Sequence, residues 1–249
     1  MKILLSNPVE SVTIAESAGV GTLSFSSIKA NSLGIGALKS IAEGISMLSK
    51  SASVRSIVVK SAGDSTFCAG ASFQELQAAE NIEEVKEIFL GFAKIGLAIR
   101  NAEQLVIGQI QGKCVGGGVG LVAACDYAIA SKTAAFRLSE FENGIGPFVI
   151  AALVERKIGT AAFAACTIDT QWRDSHWALQ NNLISKVMES GQELESVVEN
   201  MANELAGRSI AATKELKQLF WAGTDQLESL LRQRAEKVAQ LYFSLRNPT

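Results

Sequence analysis

The chain has 249 residues, 48% hydrophobic and 19% charged, with a formal charge of -2. That is ample for a full core and leaves no basic excess to neutralise a phosphate backbone, which argues against nucleic acid as a partner. Cys68, Cys114, Cys125 and Cys166 make no Cys-x-x-Cys pair, and His176 is the one histidine, so neither a zinc site nor a disulfide framework is encoded.

The opening "MKILLSNPVE" is too short in apolar residues for a signal peptide, and no later run reaches the length of a membrane span. A cytoplasmic protein without a membrane partner is expected. From Val9 to Ser27, "VESVTIAESAGVGTLSFSS" alternates apolar and polar residues, predicting a hairpin or two neighbouring strands split at Ala18-Gly19. Ile35, Leu38, Ile41, Ile45 and Leu48 fall at helical spacing and predict a helix over 35–50. "RSIVVKSAG" then predicts a short buried strand ending in Gly63. The rhythm recurs as a helix over 82–100, the strand "LVIGQIQG", a glycine run, an apolar helix and the strand "DYAIAS". Such alternation predicts an α/β layered core with partly parallel strands. From Phe148 onward the pattern turns helical, ending in the amphipathic "TDQLESLLRQRAEKVAQLYFSLRN". The chain therefore divides into an α/β core, residues 1–190, and a helical C-terminal part, residues 191–249, with no linker between them.

Two stretches run from a strand through small residues into a helix: "SIVVKSAGDSTFCAGASFQEL" and "LVIGQIQGKCVGGGVGLVAACD". Small residues allow close approach to the backbone, and a first helical turn aims unpaired N–H groups outward. Two facing junctions would make a two-donor pocket for a developing negative oxygen; tight turns or packing alone would also account for the glycines. A dinucleotide site is disfavoured, because "GGGVG" lacks the G-x-G-x-x-G spacing. No G-x-S-x-G elbow is present, and "FCAG" places no base near Cys68. His176, beside Trp172 and Trp177 in a helical segment, reads as packed or surface-facing. Acid–base work then falls to Glu140 in "AFRLSEFENGIGP", just after a short strand and just before Gly144, Gly146 and Pro147. A loop glutamate alone is usually a solvated one.

Taken in order and spacing, "TFCAGASFQEL" (66–76), "GKCVGGGVGLVAACDYAIA" (112–130) and "AFRLSEFENGIGP" (135–147) resemble the crotonase family, the enoyl-CoA hydratase/isomerase superfamily. The weaker "KANSLGIGALKSI" and the helical C-terminus extend the likeness over the whole chain. The resemblance implies repeated β-β-α units, C-terminal helices that cover the site and mediate trimerisation, and homotrimers or hexamers. It implies an oxyanion hole from the backbone N–H groups of Ala71 and Gly117 holding a thioester carbonyl. It places the Ala69 carbonyl at the adenine of CoA and Lys29 near a CoA phosphate, with Gln74 where some members carry a second basic residue. Phe73, Gly120, Pro147 and Phe148 are expected to line the acyl pocket. CoA is then part of the substrate, and no separate cofactor or metal is implied.

The chain departs from the pattern at one catalytic carboxylate: the position two residues after the glycine triplet is Gly120, and Glu140 alone is retained. The leading expectation is an enoyl-CoA hydratase in which Glu140 orients water and returns its proton, with Gly120 leaving room for a branched acyl group such as 3-methylglutaconyl. The alternatives are a single-Glu enoyl-CoA isomerase, a methylglutaconyl thioester decarboxylase, and a non-catalytic acyl-CoA-binding protein.

Overall fold

The computed structural model describes residues 10–246 in full and residues 2–6 by their backbone. Strand β1 (Lys2–Ser6) pairs antiparallel with β2 (Glu10–Ser17), which forms the expected hairpin with β3 (Val20–Ser27). Ala18 and Gly19 make the turn, both with positive φ (49° and 83°). Val9, which opened the predicted hairpin, lies outside the described residues. Helix α1 (Ile35–Lys50) has the predicted bounds and buries Leu38, Ile41, Ile45 and Leu48 on one face.

Three β-β-α units follow. The first is β4 (Ser56–Ser61), β5 (Thr66–Cys68) and the helices α2 (Phe73–Ala78) and α3 (Ile82–Asn101). The second is β6 (Val106–Ile110), β7 (Lys113–Val115) and α4 (Gly117–Ala124). The third is β8 (Tyr127–Ser131), β9 (Ala135–Arg137) and α5 (Phe148–Asp169), the last broken at Gly159. The chain continues through β10 (Arg173–Asp174), α6 (Ser175–Gln180), β11 (Lys186–Met188), α7 (Gly191–Ala206), α8 (Ile210–Phe220) and α9 (Leu227–Arg246).

In each unit the first strand joins a seven-stranded sheet, ordered β1-β2-β3-β4-β6-β8-β11, and the second joins a four-stranded sheet, ordered β10-β9-β7-β5. The strands β3, β4, β6, β8 and β11 run parallel. A parallel strand covered on both faces must be apolar on both, which explains "SIVV" in β4. Val58 packs with Leu194 and Val198 of α7 on one side, while Ile57 and Val59 belong to the main core with Leu38 and Ile41 of α1.

The small sheet positions the site. Strands β5, β7 and β9 are parallel neighbours, with Cys68 opposite Cys114 and Cys114 opposite Phe136. Their C-terminal ends therefore leave the sheet on one edge, where open parallel sheets gather functional loops. These ends carry Ala69–Ala71, Gly116–Gly117 and Ser139–Glu140.

Candidate active site

A cavity of about 230 Å³ opens at that edge. Ala69, Gly70 and Ala71 line it from the loop after β5, Gly116 and Gly117 from the start of α4, and Glu140 from the loop after β9. Phe89 and Phe92 of α3, Phe148 and Ile150 of α5, and Val238 and Tyr242 of α9 complete much of the wall.

The Ala71 loop is laced to the turn before α1. Leu33 N–H donates to the Gly70 carbonyl at 2.8 Å, and Ser72 N–H to the Leu33 carbonyl at 2.9 Å. In such a parallel bridge the flanking groups of Ala71 are engaged, so its own N–H faces the opposite side. Glu75 of α2 strengthens the tie by accepting from Ile35 N–H at 2.8 Å, capping α1. Across from it, Gly116 adopts φ 52° and ψ -116°, a conformation that costs a side-chain residue far more than glycine. That turn points the next N–H, of Gly117, out of the first turn of α4. Gly70 also takes positive φ (89°), and a Cβ there would stand 3.0 Å from the Val115 carbonyl oxygen and 3.7 Å from Gly117 N. The two turns therefore touch. Neither Ala71 N–H nor Gly117 N–H donates to a backbone acceptor among the described residues, and such paired donors at a cavity wall can hold an anionic oxygen.

Glu140 completes the arrangement. Its Oε1 lies 2.7 Å from where a Cβ on Gly116 would stand, so the carboxylate rests against the backbone that precedes the Gly117 donor. Oε2 is buried and has no hydrogen-bond partner. Burial pushes the carboxyl up to about 7, against the opposing pull of backbone N–H groups at Glu140 and Ser139. The loop holding it is a tight one, with Asn143 N–H and Ile145 N–H both donating to the Glu140 carbonyl, at 3.1 and 3.0 Å. Asn143 Nδ2 adds a bond to the Ser139 carbonyl at 2.9 Å.

Of the residues expected from sequence, Ala69, Ala71, Phe73, Gly117, Glu140, Pro147 and Phe148 come together around this cavity. Lys29 does not line it; exposed after β3, its Nζ donates to Gln74 Oε1, one residue beyond cavity-lining Phe73. Gly120 is a correction. It does not line the cavity and opens no room for an acyl branch, because Ile150 Cγ2 stands 2.3 Å from where its Cβ would be. His176 sits exposed on α6 with Gln180 as partner, away from the cavity. The sequence alone does not single out Ile150, Val238 and Tyr242. Their helical periodicity is visible, but which face meets the cavity depends on how α5 and α9 cross the core.

The model of the family described as enoyl-CoA hydratase/isomerase matches residues 15–246. The short-chain-enoyl-CoA hydratase of Clostridium acetobutylicum is 29% identical over 194 residues, covering 78% of this chain and 74% of the relative. Enoyl-CoA hydratase domain-containing protein 3 of Rattus norvegicus is 24% identical over 231 residues, covering 88% and 76%. The crystal structure of an enoyl-CoA hydratase from Bacillus halodurans superposes with a TM-score of 0.86 at 22% identity, covering 93% of this chain and 94% of that one. With its β-β-α units, its loops gathered at one sheet edge and a family match spanning nearly all of its length, the chain belongs to the enoyl-CoA hydratase/isomerase family.

Proposed function

We propose that the protein moves a carbon–carbon double bond within an acyl-CoA thioester, with Glu140 as the single proton carrier. The observation that carries this reading is the Glu140 carboxyl: buried, unpartnered at Oε2, and the one acid lining the cavity among the described residues. A pKa of about 7 suits a group that must first take a proton and then return it. In a 3-enoyl thioester, Glu140 removes a proton from C2, and the C–H electron pair moves toward the thioester oxygen. The N–H groups of Ala71 and Gly117 hold the resulting oxyanion, a contribution of about 3 kcal/mol per donor. The protonated Glu140 then delivers the same proton to C4, the double bond settles between C2 and C3, and nothing is added or lost.

Hydration of a 2-enoyl thioester is the second reading, favoured by the name of the Clostridium relative. Glu140 would then take a proton from water and pass it to C2. Isomerisation fits better, because Ile150 occupies the space above Gly120 and leaves one carboxylate where water addition often shares the work between two.

Chromatography with mass spectrometry on 3-hexenoyl-CoA and crotonyl-CoA decides. The expected result is a 3-hexenoyl product of unchanged mass and altered retention. Crotonyl-CoA gaining one water, with 3-hexenoyl-CoA untouched, would establish hydration instead. Tight binding of both without turnover would make the protein an acyl-CoA binder.

A further inference from the structure

We infer that the acyl cavity admits uncharged, hydrocarbon-like acyl groups and rejects an acyl chain ending in a second carboxylate, a statement of substrate class that rests on the thioester reading above. Away from Glu140, the wall is built by Leu76, Phe89, Phe92, Phe148, Ile150 and Val238, and no lysine, arginine or histidine lines it among the described residues. A carboxylate carried into such a space gives up water and meets no cationic side chain, only the neutral Ser139, Asn143 and Tyr242 that also line it, a large penalty for an ion. Glu140 adds a second obstacle, since two carboxylates in one buried space repel each other.

Two cations close to the wall, Arg246 and Lys29, are engaged by other groups. Arg246, on the outer side of the wall, is exposed and donates from Nη1 to the carbonyls of Leu76 and Ala79 at 3.0 and 3.1 Å. Its guanidinium also lies over the Tyr242 ring, 6.0 Å from the centroid. Lys29 is bonded to Gln74. The inference counts against dicarboxylic thioesters of the methylglutaconyl type as substrates for either hydration or decarboxylation.

The test uses saturated thioesters of matched chain length, hexanoyl-CoA and adipyl-CoA, so that binding is read without turnover. Calorimetry on the full chain should show hexanoyl-CoA binding at least about a hundredfold more tightly. Equal affinities, or tighter binding of adipyl-CoA, would overturn the inference, and turnover of 3-hexenoyl-CoA would then leave the isomerase reading standing. Failure of both thioesters to bind would bring down the acyl-CoA reading and the inference with it. In Glu140→Gln the preference should shrink yet stay above about tenfold, because the apolar wall remains; its disappearance would show that the wall does not select. Arg246→Leu should leave the preference unchanged. A loss of adipyl-CoA affinity in that variant with hexanoyl-CoA affinity kept would reveal a cation serving the acyl end and overturn the inference.

Discussion

At the scale of single residues, the consequences centre on Glu140 and Gly120. Glu140→Gln keeps the shape of the side chain and removes its capacity to take a proton, so turnover should fall by about 10²–10⁴ while thioester affinity stays close to wild type. On the proposed mechanism the reactive form of the wild type is the carboxylate, and kcat/KM should drop roughly tenfold per pH unit below about 7. A profile flat through that region would remove Glu140 from the proton transfer. The same shift acts on stability. Burial raises this carboxyl above its ordinary value, so over the window between that value and about 7 the native state holds a proton the unfolded chain has released, and stability falls as pH rises. Urea denaturation should therefore find Glu140→Gln more stable than wild type by about 1–3 kcal/mol near pH 8, with the difference gone near pH 4. Gly120→Glu should destabilise by about 1–3 kcal/mol through overpacking against Ile150. Adding Ile150→Ala should recover part of that loss, a coupling that a double-mutant cycle measures.

At the scale of elements, a buried ion pair joins α8 to the core. Lys217 Nζ meets Asp126 Oδ2 at 2.5 Å with both side chains almost fully buried. Asp126 also accepts from Trp221 Nε1 at 2.9 Å and from Val106 N–H at 2.8 Å, and Arg156 stacks on the Trp221 ring 4.3 Å from its centroid. One carboxylate thus links β6, the entry to β8, and the end of α8. Burial lowers the pKa of Lys217, with Asp126 opposing the fall. Asp126→Ala should cost about 3–5 kcal/mol in chemical denaturation, because it strands a buried cation, and Asp126→Ala combined with Lys217→Met should cost less than the single change. Equal losses would show that the ion pair is not what holds α8. The long elements were legible in sequence for a physical reason: α1, α3 and α9 each show several turns of apolar period, and β2 and β3 alternate over eight residues. The small sheet was not. Strands β5 and β7 span three residues each, too short for alternation to register, although β9 was expected just ahead of Glu140. That the loops of Ala71 and Gly117 meet Glu140 at one cavity is legible because their motif is local; Ile150 over Gly120 is not, because it depends on the crossing of α5 over α4.

At the scale of the whole molecule, α9 packs on α3 and α5 and supplies Val238 and Tyr242 to the cavity. Elsewhere Ile168, Leu219 and Phe220 stand 70%, 68% and 45% exposed, apolar surface of the kind that subunit contacts cover. The trimer or hexamer implied by the family resemblance gives two expectations for light scattering. Deleting residues 223–249 should lower the mass toward that of one chain, whereas unchanged mass would show that these residues serve their own subunit. Leu219→Asp, which leaves the cavity wall intact, should lower the mass without loss of fold if this face joins subunits. The cysteines carry a different consequence. All four thiols are buried, and burial pushes both Cys68 and Cys125 up to about 12, so the native molecule should be nearly silent toward alkylating reagents. Each labelling event then records an opening of the structure, a clock already wound into the chain. Cys68 directly precedes the Ala69–Ala71 loop and Cys166 lies on α5, so the order in which the thiols react would tell which end of the molecule breathes first.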